Sequence, residues 1–291
     1  MLGIILVNYN DWDNLINCVN SINASNKCNI YIVDNDSKPH EYINELKLLE
    51  NVTLIMSKIN LGYSAGNNLG LKSALDDGCD CFIVSNTDIV FLQDTIKKLI
   101  STFENSDVDV AGPKVYLEDG LEQEEILGVR VTPIEKIKLI INSFSKGLAF
   151  KNLKRVFSNK DRENQYIYRV YGVSGCCFAF NLRVAHEVLP FDENVFLYNE
   201  EWIIAEICHQ RDLKVVVNPL SIVTHLHGST TKDIKLVSYL YFLKSEWYVL
   251  NAYFRDYLFL NIVIAFLRLP RLVYVYSKEM IKNSLLNEKF K

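Results

Sequence analysis

Two adjacent glutamates, Glu200 and Glu201, interrupt the otherwise apolar stretch LYNEEWIIAEI. A carboxylate at the mouth of a buried site can act as a general base, because it can accept the proton of an attacking hydroxyl. On a surface helix, the same pair would be solvated charge placed favourably at the helix N-terminus. The two interpretations are compatible, since a carboxylate at a helix N-terminus stays ionised.

Polar side chains also follow three apolar segments in the N-terminal half of the chain. They are Asn8, Tyr9 and Asn10 after GIILV; Asp34, Asn35, Asp36 and Ser37 after NIYIV; and Asn86, Thr87 and Asp88 after CFIVS. Because Asn and Asp favour turns and caps, local structure could explain each group singly. Ligands of parallel sheets bind beyond the carboxyl ends of the strands, so three such groups in one sheet favour a shared crevice rich in hydrogen-bonding groups.

Apolar strands alternate with helical segments in the first half of the chain. Trp12, Leu15 and Val19 recur at three- and four-residue steps, with Asp11 or Asp13 as the N-cap, and LQDTIKKLISTF repeats the pattern. Continuous apolar strands separated by helices predict a parallel sheet that is covered on both faces. Further along, VSGCCFAFN predicts a strand, and KVVVNP predicts a short strand that ends before Pro219.

Bulk composition is that of a globular protein. The chain has 291 residues, 49% of them hydrophobic and 23% charged, which is enough for one large domain or a domain with an appendage. A net charge of -4 gives no support for nucleic-acid binding. The seven cysteines lack the paired spacing of a zinc site, and no charged region precedes the first strand as in a signal peptide. We therefore expect reduced thiols in the cytosol.

Two regions carry positive charge. Residues 135–162 contain eight Lys or Arg against two acids, which indicates a basic loop with a short helix, or a flap. Residues 261–291 are very apolar and carry six Lys or Arg against two acids. Arg268, Pro270 and Arg271 interrupt the apolar run, and a membrane span needs about 20 residues, so we expect a helix on the membrane surface. The alternatives are packing on the chain's own core or on a second subunit in a homodimer.

Seven segments appear in the order typical of one enzyme family, between about residues 3 and 230. They are VNYN, VDNDS, NLGYSAGNNLG, SNTDI, VSGCCFAFNLRV, FDENVFLYNEE and HLHGST. Each is weak alone, but together they resemble the GT-A-fold, family-two nucleotide-sugar glycosyltransferases, of the rhamnosyltransferase-like type that builds bacterial polysaccharides. The resemblance implies an α/β fold with a mixed, mainly parallel sheet flanked by helices, and a C-terminal helical extension.

The resemblance also implies a domain organisation. A GT-A domain would cover residues 1–230, with a nucleotide-sugar half at 1–115, a basic segment at 116–164 and an acceptor and catalytic half at 165–230. A helical segment at 231–291, which associates with membrane, would follow.

For the donor, the resemblance assigns nucleotide-sugar binding to the strand ends and to the glycine-rich segment. The implied residues are Val7, Asn8, Tyr9, Asp34, Asn35, Asn60, Gly62, Gly66, Asn67, Asn86 and Thr87, with Asp34 reading the nucleobase. Glycines would let the backbone approach the ligand closely, and the alternative is a glycine-rich turn without a ligand. The segment is not GxGxxG, which disfavours a nicotinamide-type oxidoreductase.

For a metal, SNTD stands where the family keeps its DxD motif. The resemblance implies that Asp88 and the late His225 bind Mn²⁺ or Mg²⁺, with His227 as the less favoured histidine. Asn86 replaces the first aspartate of the motif, which keeps hydrogen-bonding capacity but loses a charge.

For catalysis, the family's usual Glu-Asp pair reads Glu200-Glu201 here. The resemblance assigns Glu201 as the base, one methylene longer than aspartate, and Glu200 as the neighbour that orients the acceptor or the loop. The implied enzyme is an inverting, metal-dependent hexosyl- or rhamnosyltransferase. It would move a sugar from a UDP- or dTDP-sugar to a lipid-linked saccharide for capsule or O-antigen synthesis, on the inner face of the plasma membrane. The departures at positions 86 and 201 leave open a catalytically impaired nucleotide-sugar-binding module.

Overall fold

The computed structural model of the chain describes residues 1–23, 28–104, 107–123, 127–145, 167–226 and 235–289, with side chains as far as residue 282. The strands in these ranges are β1 (Leu2–Asn8), β2 (Asn29–Asn35), β3 (Val52–Ser57), β4 (Cys81–Ser85), β5 (Ile89–Phe91), β6 (Val110–Leu117), β7 (Tyr168–Arg169), β8 (Cys177–Asn181) and β9 (Val215–His225). The helices are α1 (Trp12–Asn23), α2 (Tyr42–Lys47), α3 (Tyr63–Asp76), α4 (Thr95–Ser101), α5 (Pro133–Phe144), α6 (Leu182–Val188), α7 (Glu200–Gln210), α8 (Leu236–Tyr253) and α9 (Leu258–Lys289).

All of these strands belong to one sheet, in the order β3-β2-β1-β4-β8-β6-β9-β5, with β7 added beside β9. The pairs β1–β2, β1–β4, β2–β3 and β6–β9 are parallel. β8 runs antiparallel to both β4 and β6, while β5 and β7 run antiparallel to β9. The predicted α/β fold, with a mixed sheet flanked by helices, is confirmed.

Because β8 runs antiparallel to β4, the residues that follow β4 and the residues that precede β8 lie at the same edge of the sheet. Ser85, at the end of β4, pairs with Cys177, at the start of β8, so Gly175 lies just beyond that edge. Further across the sheet, His225 at the end of β9 pairs with Ile89 at the start of β5. The polar ends of β1, β2, β4 and β9 therefore share an edge with the segment that precedes β8.

β9 is longer than the sequence pattern predicts. The strand does not end before Pro219 but continues to His225. Its register with β6 moves from Asn218, opposite Pro113, to Ile222, opposite Lys114, so that Pro219 lies in a bulge. A bulge is one of the few places in a sheet that tolerates the missing N–H of proline. The prediction of a short strand is wrong for this reason.

The two faces of the sheet have separate apolar cores because side chains alternate along each strand. Ile4 and Leu6 of β1 pack with the buried face of α1, whereas Ile5 packs with α3, α6 and α7 on the other face. Trp12, Leu15 and Val19 are all buried, in agreement with their helical spacing.

A third core joins α5, α7, α8 and α9 and contains a buried ion cluster. Arg268 donates to both oxygens of Glu246 (2.7 and 2.6 Å), and Lys136 Nζ lies 3.1 Å from Glu246 Oε1. Burial alone would raise the pKa of Glu246, but the two cations hold it below its ordinary value. Lys136 Nζ also lies 4.4 Å from the ring centroid of Trp202, in α7, so the cluster fixes that helix against the C-terminal helices.

α9 continues through Arg268, Pro270 and Arg271 without a break. The expectation that these residues leave the apolar run too short for a membrane span is wrong for the folded helix. By length and composition alone, the stretch Arg255–Lys282 is able to cross a membrane, and most of it is exposed. Proline removes one helical hydrogen bond, but packing on α5 and α8 holds the helix on both sides of Pro270.

Gly70 lets α3 lie close to β1, which gives a test of the packing. A Cβ at Gly70 would lie 2.6 Å from Ile5 Cγ2 and 3.3 Å from Val33 Cγ2. Alanine gains about 1 kcal/mol of helix propensity, but overpacking costs about 1–3 kcal/mol. We expect Gly70→Ala to lower the free energy of unfolding in urea, whereas the exposed Lys72→Ala should change it by less than about 0.5 kcal/mol. Equal or greater stability of Gly70→Ala would contradict the close packing.

Candidate active site

The ends of β1 and β2 meet in a buried hydrogen-bond network. Asn8 Nδ2 lies 3.3 Å from both Asp34 Oδ1 and Ser37 Oγ, and Asn8 Oδ1 accepts the Asp11 N–H at 3.1 Å. Asn8 and Asp34 are almost fully buried. The amide of Asn8 therefore fixes the Asp34 carboxylate at the edge of the sheet, where its oxygens suit the N–H groups of a flat base.

In the glycine-rich segment, other protein atoms fill the space beside two of the glycines. Gly62 has a φ of +83°, and a Cβ there would overlap the carbonyl oxygen of Phe196. A Cβ at Gly66 would lie 2.9 Å from Val7 Cγ1. These glycines thus have a packing role, and the expected close approach of a ligand stays a prediction. Tyr9, two residues after Val7, is exposed at the rim.

Asparagines fix the loop that leads into α3. Asn35 donates to Asn60 Oδ1 and to the Gly62 carbonyl (both 3.0 Å), and it accepts the Leu61 N–H at 2.9 Å. Asn67 is fully buried and donates to the Tyr63 carbonyl at 3.0 Å, but its Oδ1 has no hydrogen-bond partner within the protein. That oxygen remains a buried acceptor near the sheet edge.

The end of β4 is tied to neighbours on both sides. The Asn86 N–H donates to the Cys176 carbonyl at 2.8 Å, across the β4–β8 pair. Thr87 Oγ1 donates to Asp11 Oδ2 at 2.8 Å, and the Asp11 carbonyl accepts the Leu15 N–H at the start of α1. Thr87 is buried by these contacts.

Asp88 and His225 form a pair at the ends of neighbouring strands. His225 Nε2 lies 3.1 Å from Asp88 Oδ2, and His225 Nδ1 lies 2.8 Å from Gln123 Oε1. Asp88 Oδ1 is buried without a hydrogen-bond partner. If Gln123 Oε1 accepts the Nδ1 proton, the Nε2 lone pair faces a carboxylate, an arrangement that a cation satisfies.

These two side chains fit a hard divalent ion but do not complete its ligand set. Across the described ranges, no group of three or more His, Cys, Asp or Glu side chains is placed to hold a metal ion. An ion bound by Asp88 and His225 would therefore take further oxygen ligands from a bound phosphate or from water. His227, the less favoured histidine, lies outside the described residues.

Glu200 and Glu201 form the first turn of α7 and lie against the segment that precedes β8. A Cβ at Gly175 would lie 3.4 Å from Glu201 Cβ and 3.5 Å from Glu201 Oε2. The Tyr63 hydroxyl donates to the Gly175 carbonyl at 2.9 Å. Glu200 is 8% exposed and its Oε1 has no hydrogen-bond partner, whereas Glu201 is half-buried.

The environments of the two glutamates differ electrostatically. Burial raises the pKa of Glu200 to about 8, and the adjacent charge of Glu201 adds to the shift. Burial also raises the pKa of Tyr63, with a further contribution from the Glu200 carboxylate. At neutral pH, Glu200 therefore retains its proton and can donate a hydrogen bond into the crevice, while the Tyr63 proton is held by the Gly175 carbonyl.

The residues before the glutamates have an unusual backbone. Tyr198 and Asn199 have φ angles of 73° and 67°, which non-glycine residues rarely adopt. The loop is held by α8, because Ser245 Oγ donates to the Leu197 carbonyl at 2.8 Å and the Tyr198 ring meets the edge of Phe242. Strained residues of this kind are concentrated at functional sites.

Sequence patterns do not predict a site role for several residues at this edge. The sequence marks Asp11 only as a helix cap, although its carboxylate also accepts a hydrogen bond from the Thr87 hydroxyl. Tyr63 lies within the glycine-rich segment, where an aromatic residue among glycines is the one local feature that singles it out. Gln123 had no local signal, because its partner His225 lies 102 residues away. Of the predicted basic segment, α5 lies within the described residues and 146–162 lies outside them.

The raised pKa of Glu200 predicts a pH-dependent stability. Between about pH 4.5, its ordinary pKa, and about pH 8, the folded chain keeps a proton that the unfolded chain loses, so stability falls as pH rises through this window. We expect Glu200→Gln to be more stable than the wild type at pH 8.5 by a few kcal/mol, at about 1.4 kcal/mol per pKa unit. The advantage should vanish near pH 4.5. Urea unfolding across this range measures it.

The exposed Glu118→Gln is the matched control, since it removes one carboxylate without touching the crevice. Its stability should follow that of the wild type at every pH. A Glu200→Gln variant that gains nothing at pH 8.5 would contradict the protonated state of Glu200.

Comparisons with known proteins bear on the fold and the family of the chain. Low-salt glycan biosynthesis hexosyltransferase Agl10 from Haloferax volcanii is 22% identical over 239 residues, which cover 81% of this chain and 70% of the relative. The structure of GalNAc-T7 with UDP, GalNAc and Mn²⁺ superposes with a TM-score of 0.57 at 17% identity, over 78% of this chain and 43% of that one. S. aureus TarS gives a TM-score of 0.55 at 12% identity, over 82% of this chain and 64% of that one.

The two structures confirm the predicted GT-A fold, although this chain spans less than two thirds of the length of either. The sequence profile described as Glycosyl transferase family 2 matches residues 3–189, which include the ends of β1, β2 and β4. Because this match covers more than half of the sequence, the chain belongs to glycosyl transferase family 2.

Proposed function

We propose that the chain transfers a sugar, with inversion, from a UDP- or dTDP-sugar to a hydroxyl of a lipid-linked saccharide. The observation that carries the proposal is the shared sheet edge. The Asp88–His225 pair lies beyond the end of β4, the two glutamates lie against the segment that precedes β8, and the Asn86–Cys176 hydrogen bond joins β4 to that segment. A leaving diphosphate and an attacking hydroxyl need such groups on opposite sides of one carbon. Family membership supports sugar transfer as the reaction.

In this proposal the donor nucleotide occupies the ends of β1 and β2. Asp34, fixed by Asn8, accepts N–H groups of the base, while Asn86 and Thr87 face the ribose. Tyr9 at the rim and Asn67 Oδ1 offer further polar contacts to the donor. The UDP named with the GalNAc-T7 structure supports a nucleotide-linked donor, and the name of the Haloferax relative supports a hexose in glycan biosynthesis.

The diphosphate would lie at Asp88 and His225. A divalent ion held there would neutralise the negative charge that develops on the departing diphosphate. The orphaned Asp88 Oδ1 and the short Nε2–Oδ2 distance support this assignment, as does the Mn²⁺ named with GalNAc-T7. Gln123 orients the imidazole from its other nitrogen.

The acceptor hydroxyl would be deprotonated by Glu201. As its oxygen bonds to the anomeric carbon, the bond from that carbon to the diphosphate oxygen breaks and the proton passes to the Glu201 carboxylate. Glu200, protonated and buried, donates a hydrogen bond that orients the acceptor, so the pair divides base and donor roles. Gly175 leaves room for the acceptor sugar beside Glu201.

The base assignment predicts a selective loss of turnover. Glu201→Gln keeps the shape of the side chain but cannot take the proton, so we expect kcat to fall by about 10²–10⁴-fold while calorimetric binding of UDP or dTDP stays within a few-fold. Glu118→Gln should retain wild-type activity. Near-normal turnover of Glu201→Gln would remove Glu201 as the base. Nucleotide binding without any transfer or donor hydrolysis by the wild type would instead identify a binding module.

The metal assignment predicts dependence on a divalent ion. Chelation should abolish nucleotide release, and Mn²⁺ or Mg²⁺ should restore it. Asp88→Asn should weaken Mn²⁺ binding in the presence of UDP by at least about tenfold, measured by paramagnetic resonance of the free ion, because a carboxylate ligand is lost. Asp107→Asn, which changes an exposed carboxylate elsewhere, is the control. Activity that survives chelation, together with Mn²⁺ binding that survives Asp88→Asn, would contradict the site.

A further inference from the structure

α9 exposes a continuous apolar stripe that the proposed transfer reaction does not use. Seven large side chains recur at alternating three- and four-residue steps and are 41–75% exposed: Phe259, Ile262, Phe266, Leu269, Val273, Tyr276 and Met280. At about 1.5 Å per residue, the stripe is about 30 Å long. Leu258, Tyr274 and Ile281 widen it. Apolar patches of this size on a soluble protein mark an interaction surface.

The opposite side of α9 is bound to the rest of the chain through polar groups. Asn261 is fully buried and donates to the carbonyls of Leu250 (2.8 Å) and Phe254 (3.1 Å) at the end of α8. Arg268 is held by both oxygens of Glu246, as described above. A helix that left α8 to cross a bilayer would carry Asn261 and Arg268 into hydrocarbon without these partners, which is costly. The attachment therefore favours a helix that lies in the plane of a membrane surface.

Charge favours an anionic surface over a second copy of the chain. The exposed charged side chains of α9, as far as residue 282, are all basic: Arg271, Lys278 and Lys282. At about 100° per residue, these side chains lie on the side of α9 away from the stripe, where a stripe-to-stripe contact would not bring them together, but their net positive charge attracts anionic lipid headgroups. As far as residue 277, the positions that border the stripe are uncharged, whereas charged residues usually border a coiled-coil seam; they are Val263, Ala265, Pro270, Leu272 and Ser277.

Trp247 extends the surface onto α8. It is 45% exposed and lines an apolar groove between the two helices together with Leu269 of the stripe. Tryptophan is enriched at membrane–water interfaces, because its ring is apolar and its N–H is polar. The other two tryptophans, Trp12 and Trp202, are buried, so Trp247 is an optical reporter of this face.

We propose that the stripe of α9, together with Trp247, docks in the plane of an anionic lipid bilayer. The positive charge of α9 attracts the anionic surface, and the stripe enters the boundary between headgroups and acyl chains. This membrane attachment does not depend on the identity of the donor or the acceptor.

The test compares two triple variants of the full chain by co-sedimentation with vesicles. Phe259→Asn, Phe266→Asn and Val273→Asn change the stripe, while Leu48→Asn, Ile59→Asn and Leu121→Asn change equally exposed apolar residues elsewhere. On vesicles of mixed phosphatidylcholine and phosphatidylglycerol, we expect the stripe variant to bind at least about 100-fold more weakly, and the control to bind like the wild type. Binding should also weaken at high salt and on pure phosphatidylcholine.

Fluorescence separates docking from spanning. Lipids brominated near the headgroup should quench Trp247 in the wild type, and Trp247→Phe should remove that quenching. Quenching that is absent in the wild type, or protein that resists alkaline extraction, would overturn in-plane docking. Unchanged vesicle binding by the stripe variant would overturn the stripe as the docking surface. A wild-type dimer in solution that the stripe variant dissociates would assign the face to a second copy of the chain.

Discussion

β8 runs antiparallel to β4, and this single reversal of direction allows one sheet edge to hold both halves of the proposed group-transfer site. In a purely parallel sheet the amino ends of strands lie far from the carboxyl ends, so a loop that precedes a strand could not face the ends of β1, β2 and β4. Here Ser85 faces Cys177, and the Asn86 N–H bonds to the Cys176 carbonyl. From this hydrogen bond the chain leads to Asp88 on one strand and to Gly175 on the other, so the crevice between these two residues depends on the β4–β8 register.

The electrostatic arrangement of the crevice follows from unequal burial. Two carboxyl groups on adjacent residues of one helix turn repel each other, and the more buried one holds its proton more firmly. Burial beside Tyr63 keeps water from Glu200, while the ion cluster of Glu246 fixes α7 through Lys136 and Trp202. The division of roles that we propose for the glutamates thus depends on packing far behind the crevice as well as on the residues themselves.

Sequence patterns predicted what depends on local periodicity and on strand ends. The spacing of Trp12, Leu15 and Val19 identified α1, and the polar groups after β1, β2 and β4 indicated the functional edge. The patterns failed where distant contacts override a local rule. A bulge opposite β6 absorbs Pro219, and packing on two helices carries α9 through Pro270. Gln123 and Tyr63 acquire their roles from partners about a hundred residues away, which no local pattern encodes.

The position of β9 in the sheet bears on the order of assembly. β9 follows all the other described strands in the chain, yet it lies between β6 and β5, and β5 pairs with no other strand in the described ranges. During synthesis β1 to β4 can pair as soon as they emerge, because their connections are short, whereas β5 must wait for residues up to His225. Contacts between such distant segments form late and slowly. The Asp88–His225 pair therefore comes together only when the sheet is complete, so a partly made chain carries the polar ends of β1 and β2 without this pair.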